Sequence, residues 1–545
     1  MTLFEQILTA RGLVTRAARQ AFLQPDYMAV KHDPFLLPDM KKAVARLKQA
    51  REQGEKIVIY GDYDIDGLSA TALLLDAFGK FGFEDFDAFI PNRFVEGYGM
   101  TMGAVDKVRD MGADLIVTVD TGSLCHAEIA YAASLGIDTV VTDHHNVAET
   151  PPPSVAAVNP KFSGHSYPFR DLCGAGVAFK LVQALQTELD GLPDGYEKWL
   201  LDLVALGTVC DIVTLADENR ANVYWGLEVL KKQQRPGLKA LMAVAGIEPE
   251  QVNARHLGFG LGPRMNAAGR LETAQHALDM LTARDGLAAL EASEKLEELN
   301  TKRRSIQDAI FEEACVQAEE LADDRVLVVS SGGWNHGVIG IVASKLVEKY
   351  KKPVFIIGER GEEATGSARS FGDFSAADAV RAADDIIIKG GGHGAAAGVT
   401  LATEKIGDFR RRVNEFYDSL QLTNQERYLL PRADVEIDDF SEIDEELVAN
   451  LAKMEPFGNG NPEPVLKIAR ASVLSMRRMG ADGQHVKLAL RDKNGKVLQM
   501  LAFNAPEEFF REPGDEVAAW FQPTINEWQG VRTVEGRLVH VALFD

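Results

Sequence analysis

Apolar residues along the chain follow two kinds of spacing. Short uninterrupted runs, rich in β-branched residues, occur at KIVIY (56–60), DAFI (87–90), DLIVTV (114–119), DTVVT (138–142) and AAV (156–158). Between the earlier runs, apolar positions recur every three or four residues, as in GLSATALLLDAF (67–78) and in segments around 101–112 and 125–135. The first pattern belongs to strands buried on both faces and the second to amphipathic helices. Their alternation predicts an α/β domain with a parallel sheet covered on both sides. Ahead of it, residues 1–50 read as short helices, with VARLKQAREQGE leading into the first strand.

Pro151-Pro152-Pro153 marks a loop, after which residues from about 175 to 320 turn mainly helical. This region ends in LAALEASEKLEELNTKRRSIQDAIFEEACVQAEELA, whose 3.6-residue period without Gly or Pro predicts a long connecting helix. A second α/β unit opens at RVLVVS (325–330) and runs to about 420. Residues 434–446 (DVEIDDFSEIDEE) hold eight acids and no base, and read as a solvated linker or helix start. The last hundred residues alternate short strands and turns, the pattern of a small β-barrel. The expected division is 1–50, an N-terminal helical segment; 51–284, the first α/β domain with a helical extension; 285–322, the long helix; 323–424, the second α/β domain; and 425–545, the barrel.

The chain's 545 residues are too many for one domain, and 46% hydrophobic content excludes disorder as the main state. No run approaches the roughly 18 apolar residues of a membrane span, and the start lacks a signal-peptide layout. Four cysteines without CxxC spacing make a disulfide framework or structural zinc site improbable. A soluble, cytoplasmic protein with no membrane partner is expected. The net charge of −23 argues against a nucleic-acid partner at the level of the whole surface. A site can still be locally basic: residues 465–511 carry nine bases and four acids, a net of +5. Aromatics in the barrel, Phe503, Trp520 and Trp528, read mostly as core, with strand stacking as the functional alternative.

The chemistry lies where acids and histidines meet strand ends. Asp62, Asp64 and Asp66 follow the first strand, Asp120 follows DLIVTV, and Asp143-His144-His145 follows DTVVT. All are carboxyl ends, where open parallel sheets form ligand crevices. Asp211 follows the apolar helix WLLDLVALGTVC and can reach the same edge. Any one of these acids alone reads as a turn or helix cap. Together they would repel one another unless cations neutralise them, and Asp/His ligands without Cys favour Mn²⁺ or Mg²⁺. A bridging Asp120 would suit two ions about 3.5–4 Å apart, an arrangement suited to phosphoester hydrolysis. In the second unit, Gly390–Gly398 reads as a glycine run entering a helix start, an anion nest at Gly391, Gly392 and His393, or else a tight turn. Arg369, in GSARS (366–370), could clamp a phosphate or be a surface strand residue, and His336 is a further candidate or a cap.

GDYDIDG, VTVDTGS, TDHH, GTVCDIV and GGGHGAAAG together resemble the DHH phosphoesterases. PNRFVEGYG (91–99), LGFGLGPRMNAAGR (257–270) and WNHGVIGIVASKL (334–346) are similar to the RecJ branch of that family, the single-strand-specific 5′→3′ DNA exonucleases. The match runs in order from about residue 50 to 545. The resemblance implies a DHH catalytic domain with two divalent ions, Mn²⁺ or Mg²⁺, a substrate-holding DHHA1-type domain behind the long helix, and an OB-type barrel. Asp64, Asp66, Asp120, His144 and Asp211 fall on the family's metal positions, with Asp62 in the same motif, and His145 would face the scissile phosphate. Arg93, Arg264, Arg369 and His393, with Gly391 and Gly392, would hold phosphates. Two departures stand out: Tyr60 occupies the position of a superfamily His four residues before DxD, and DTGSLCH (120–126) replaces a sequence closer to DNGISSH.

The implied activity is a two-metal 5′→3′ exonuclease of single-stranded DNA acting in repair and recombination. A narrow passage between the two α/β units would exclude duplex. Implied partners are single-stranded DNA, a single-strand-binding protein and a RecQ-type helicase, and the chain is expected to be a monomer. Two alternatives are a DHH phosphodiesterase or oligoribonuclease of small nucleotides, against which the barrel argues, and an inert DNA-binding helicase-scaffold relative, against which the intact carboxylates argue.

Overall fold

The computed structural model describes residues 1–97, 99–423 and 425–544; Tyr98 of PNRFVEGYG, Asn424 and Asp545 lie outside the described residues. Two compact units divide the chain. One joins Met1–Gly262, Leu281–Arg284 and Pro431–Asp545, and the other joins Pro263–Met280 and Asp285–Leu430.

In the first unit, strands β1 (Ile57–Gly61), β2 (Phe86–Phe89), β3 (Leu115–Val119), β4 (Asp138–Thr142) and β5 (Ala156–Val158) form one parallel sheet. Their order is β2-β1-β3-β4-β5. The chain leaves β1 toward one edge for β2 and crosses to the other side for β3, so the topological switch point lies between β1 and β3. Both strands are buried along their whole length, as their unbroken apolar runs require. Val58, Tyr60, Ile116 and Val141 pack under the helices Met102–Asp110 and His126–Ser134 through Val105, Val108 and Ile129. The helices Ile65–Phe81 and Gly174–Leu185 pack against each other and the sheet. Gly174–Leu185 is buried at every position, its two polar side chains satisfied inside the fold by Lys180 pairing with Glu218 and Gln183 donating to Tyr27 Oη.

The same unit holds β11 (Val435–Ile437), β12 (Leu466–Met479), β13 (His485–Arg491), β14 (Val497–Ala502), β15 (Glu516–Trp528) and β16 (Val531–Leu543), numbered after the five strands of the second unit. Strands β12-β13-β14-β16-β15 close on themselves through a β12–β15 pairing, giving a five-stranded OB-type barrel to which β11 adds in parallel. The acidic segment 434–446 does start a helix, Glu445–Ala452, capped by Asp444, but it is more than a solvated linker: it supplies β11, and Phe440 and Ile443 enter the barrel core. Leu3, Ile7 and Leu8 of the helix Leu3–Ala10 join that core, tying the first residues to the last domain. Trp520 is buried, but Phe503 and Trp528 are 66% and 72% exposed, contrary to the expectation that these aromatics are mostly core. The positive excess of 465–511 is also largely neutralised. Lys467, Arg470, Arg478, Lys487 and Lys493 pair with Glu436, Glu516, Glu507, Glu535 and Asp438, four of which lie outside that window.

The second unit carries β6 (Leu327–Gly332), β7 (Val354–Arg360), β8 (Glu363–Arg369), β9 (Ile387–His393) and β10 (Ala396–Ala402), ordered β6-β7-β8-β10-β9. Only β6 and β7 run parallel; the rest are antiparallel. The 35-residue helix Gly286–Glu320 packs its last turns on this sheet and on the helix Ile339–Tyr350 through Ile310, Ala314 and Ala318. The glycine run does not open a helix. It forms the end of β9 and its hairpin to β10, with Gly391 opposite Gly398 and Gly392 opposite Ala397. Gly392 sits at φ +146, and a Cβ there would come 2.6 Å from Ala397 Cα, so the close strand approach, and no helix start, accounts for it.

Candidate metal centre

The tight loop after β1 is built so that its acids face inward. Asp64 caps the helix Ile65–Phe81, its Oδ1 accepting the N–H groups of Asp66 (2.9 Å) and Gly67 (3.1 Å). Gly67 is required because a Cβ there would lie 2.5 Å from Asp62 O. Asp66, on the first turn, is fully enclosed and accepts the N–H groups of Gly174 (2.5 Å) and Ala175 (2.8 Å), at the start of the helix Gly174–Leu185. Asp120 ends β3 at φ +60, a left-handed conformation that aspartate tolerates better than most side chains, and its N–H donates to Thr142 O. Asp211 closes the helix Leu201–Cys210 at its C-cap and reaches the same place.

These side chains converge. His144 Nε2 lies 3.0 Å from Asp120 Oδ1, 3.5 Å from Asp211 Oδ2 and 3.8 Å from Asp66 Oδ2. Three overlapping sets have donor atoms within 4.8 Å of one another: Asp62, Asp64 and Asp120; Asp66, His144 and Asp211; Asp120, His144 and His145. Asp120 and His144 each belong to two sets, so the cluster extends beyond a single coordination sphere. Among the described residues, Asp62 Oδ1, Asp120 Oδ1 and His144 Nε2 are buried with no hydrogen-bond partner, the 3.0 Å approach of the last two lacking hydrogen-bond geometry. Buried polar atoms left in this way are costly unless something else satisfies them.

The electrostatics point the same way. Burial, and then the charge of Asp64, push Asp62 up to about 7 and Asp66 up to about 6. Burial and repulsion from Asp66 raise Asp211 to about 8 and Asp120 well above the carboxylate range. Burial, with the nearby His145, lowers His144 to about 4 and keeps its imidazole neutral, the form that ligates a metal. A hard divalent cation relieves every one of these strains, and an all-oxygen and imidazole donor set suits Mn²⁺ or Mg²⁺. The residues present fit such ions.

Sequence reasoning named Asp143 and His145 at a strand end but did not single out Ser123, Asn159, Gly174 or Gly207, which support the cluster. Asp143 accepts from Ser123 N (2.9 Å) and from His145 Nδ1 (2.9 Å), and Asn159 donates to Ser123 Oγ and His145 O. For His145, burial alone would lower the pKa, but the Asp143 hydrogen bond and charge outweigh it and raise the ring to about 9. Glycines make room: a Cβ on Gly174 would lie 2.5 Å from Asp120 Cβ, and one on Gly207 would clash with Asp66 Oδ1. Tyr60, the departure from the superfamily His, points into the sheet core and donates to Gly99 O at 3.0 Å. A glycine's clearance and a tyrosine's hidden partner leave no periodic signal in a sequence.

Of the remaining candidates, Arg93 lies near the cluster. Its guanidinium stacks 4.3 Å over the Tyr63 ring, and its charge slightly offsets the rise that burial and Asp64 impose on Asp62. Arg264, Arg369, Gly391, Gly392 and His393 belong to the second unit. There Arg264 pairs with Glu297, and Arg369 Nη1 donates to Ser367 Oγ and Ala368 O. His336 Nε2 is buried without a partner beside Gly358.

A parallel sheet with carboxylates and imidazoles gathered at its switch point, followed by a mixed α/β sheet and a closed barrel, defines an α/β metal-centre protein of modular build. The DHH family N-terminal domain matches residues 56–208, the DHHA1 domain 323–419 and the RecJ OB domain 433–540. The chain is 38% identical over 96% of its length to the single-stranded-DNA-specific exonuclease RecJ of Bacillus subtilis, of which it spans 66%. It is 35% identical over 92% of its length to that of Salmonella typhimurium, of which it spans 89%. The crystal structure of RecJ in complex with Mn²⁺ from Thermus thermophilus superposes with a TM-score of 0.82 at 30% identity, covering 98% of this chain and 75% of that one; its Mg²⁺ complex gives 0.76. The chain belongs to the RecJ family.

Among the described residues, no helix is long and apolar enough to cross a membrane. The four cysteines are free.

Proposed function

We propose that this chain is a metal-dependent exodeoxyribonuclease that removes nucleotides stepwise from a free 5′ end of single-stranded DNA, in repair and recombination. The observation that carries this is the buried cluster at the switch point, whose orphaned donor atoms and raised carboxylate pKa values call for divalent cations. Asp64, Asp66, Asp120, His144 and Asp211, with Asp62, would hold two such ions, Mn²⁺ or Mg²⁺, the metals with which the similar Thermus thermophilus RecJ structures are in complex. When bound, the ions supply Lewis acidity, easing deprotonation of water and neutralising charge on the phosphate.

The chain's own residues do the rest. His145, held protonated by Asp143, donates toward a phosphate oxygen. Arg93, fixed over Tyr63, offers its guanidinium to a phosphate near Asp62. In the second unit, Arg264, Arg369, Gly391, Gly392 and His393 hold phosphates further along the strand. Residues 51–284 form the catalytic part, 285–322 the connecting helix, 323–424 the substrate-holding part and 425–545 the barrel that tracks the strand, with 1–50 as an N-terminal helical segment. A passage too narrow for duplex gives the single-strand preference. The protein acts as a cytoplasmic monomer, supplied with single strands by a RecQ-type helicase and a single-strand-binding protein.

Product analysis on 5′- and 3′-labelled single and double strands, with Mn²⁺ or Mg²⁺, tests substrate, direction and cofactor together. Mononucleotides released from the 5′ end of single strands, and their loss in Asp120→Ala, are expected. Cleavage confined to dinucleotides would establish a small-nucleotide phosphodiesterase instead, and no cleavage at all an inert scaffold.

A further inference from the structure

Two exposed aliphatic residues lie on the loops that carry two of the cluster's aspartates. Ile212 directly follows Asp211 and is 69% exposed, and Leu124 lies four residues after Asp120 and is 60% exposed. Asp120 and Asp211 approach the same His144 Nε2, at 3.0 and 3.5 Å, so the two loops flank one centre.

Neither side chain is explained by packing. Ile212 has φ +62, a left-handed conformation in which a β-branched residue is a steric outlier. Glycine or asparagine would satisfy that backbone at lower cost, and an exposed isoleucine gains no burial in return. The conformation is held from outside. Asn459 Nδ2 donates to Ile212 O (2.8 Å), Leu215 N donates to Asn459 O (2.8 Å), and Thr214 N donates to Asp171 Oδ2 (2.9 Å). Strain maintained by its surroundings beside a reactive centre points to use of the side chain there. Leu124 sits on a loop pinned on both sides, by Ser123 N to Asp143 Oδ2 and by Cys125 N to Gly122 O. A third exposed apolar residue, Phe259, lies on the π-helical segment His256–Leu261, which packs against the helix that ends at Asp211.

A phosphate chain or a sugar has no use for apolar side chains beside an acidic cluster, whereas a nucleobase presents a flat, weakly hydrated face that packs on them. We propose that Leu124 and Ile212 form an apolar lip on which the nucleobase of the nucleotide being removed packs, making the site selective for base-bearing ends. The lip rests on the exonuclease reading above and adds to it a determinant of substrate choice.

The test compares a 5′-phosphorylated single strand with the same strand carrying an abasic terminal nucleotide, using the full chain with Mn²⁺. Wild type favours the base-bearing end by about tenfold in kcat/KM, the scale expected for burying a few methylene groups. Ile212→Gly and Leu124→Ser each lose most of that preference through KM on the base-bearing strand, and match wild type on the abasic one. Ile212→Gly unfolds at an equal or higher temperature because its backbone strain is gone, and both variants take up Mn²⁺ as wild type does in calorimetry. Equal wild-type rates on the two strands would overturn the lip, as would equal losses on both strands. Weakened Mn²⁺ uptake would also overturn it, by showing that Ile212 acts through Asp211. A wild-type protein active on neither strand would overturn the exonuclease reading itself, a distinguishable result.

Discussion

His145 Nδ1 lies 2.9 Å from Asp143 Oδ1, while the neighbouring His144 turns its Nε2 to Asp120, Asp211 and Asp66. Adjacent histidines thus have opposite environments. One is buried among acids crowded enough to retain protons, and is lowered to about 4; the other is paired with an aspartate held ionised, and is raised to about 9. For Asp143, burial would raise the pKa, but the His145 hydrogen bond and charge outweigh it and hold the carboxyl below its usual range. Its oxygens also accept the N–H groups of Ser123, His144 and His145, so Asp143 orients the turn and leaves metal holding to its neighbours.

Asp143→Asn tests that division. Without the negative charge, the His145 pKa falls from about 9 toward the ordinary value near 6.5. Turnover at pH 8 is expected to drop about 10–100-fold, as for other losses of an orienting partner. The deficit should shrink toward pH 6.5, where the variant's ring regains protons. A deficit independent of pH would refute the role given to the imidazolium.

Stability of the metal-free protein should fall as pH rises. Asp62, Asp66 and Asp211 titrate near 7, 6 and 8 when folded against about 4 when unfolded, so between these values the folded state binds more protons. Each extra proton makes stability decline by about 1.4 kcal/mol per pH unit. His145 has the same sign: its contribution is complete below about pH 6.5 and lost by about 9. His144, lowered to about 4, opposes this between pH 4 and 6.5, as a single group against several. The chelator-treated protein should therefore melt at a lower temperature at pH 8.5 than at pH 5.5. Mn²⁺ should reverse the order, because the ions replace the protons. A melting temperature that rises with pH without metal would contradict the electrostatics of the cluster.

The sheet that carries the site was legible in the chain because β1, β3, β4 and β5 are short apolar runs, of which β1, β3 and β4 lead into the acids, and each observed strand lies within a residue of its predicted span. That placement marked Asp62, Asp64, Asp66, Asp120 and His144 as candidates, whereas Asp211 follows a helix and only the fold brings it within 3.5 Å of His144. The glycine run misled because glycine marks both a helix-start nest and a close strand approach, and only the pairing of Gly392 with Ala397 separates them. The barrel's local charge misled because its partners, such as Glu535 and Glu516, are distant in sequence. The packing of Leu3, Ile7 and Leu8 into the barrel core is long-range in the same way and left no local trace.

Gly207→Ala tests how tightly the cluster is enclosed. Its Cβ would clash with Asp66 Oδ1 and lie 2.8 Å from Ala175 Cβ, whose residue also donates its N–H to Asp66. Overpacking of this kind costs about 1–3 kcal/mol and displaces the carboxylate from its two backbone donors. The expected outcome is a folded protein with Mn²⁺ uptake weakened at least tenfold in calorimetry. Wild-type uptake would show that Asp66 is not a ligand.

Arg220 makes the opposite prediction, a large loss of stability with the metal centre spared. It is buried on the helix Asp217–Lys231, and burial lowers it to about 10. Its guanidinium donates to the carbonyls of Phe22, Met454, Glu455 and Pro456, joining the N-terminal helices to the loop that enters the barrel, and it stacks 3.8 Å over the Phe22 ring. Among the described residues no acid pairs with it, so these carbonyls and the Phe22 ring solvate the buried cation. Arg220→Ala leaves the Phe22 and Glu455 carbonyls without that donor, Met454 and Pro456 keeping Asn461, and opens a cavity, at a cost of about 3 kcal/mol or more. Denaturant unfolding should show that loss, while Mn²⁺ titration of the still-folded variant should match wild type, since Arg220 touches none of the clustered acids. An unchanged unfolding midpoint would mean that the contact contributes nothing net. Weakened Mn²⁺ binding in the folded variant would mean that the junction positions Asp211 as well as holding the two domains together.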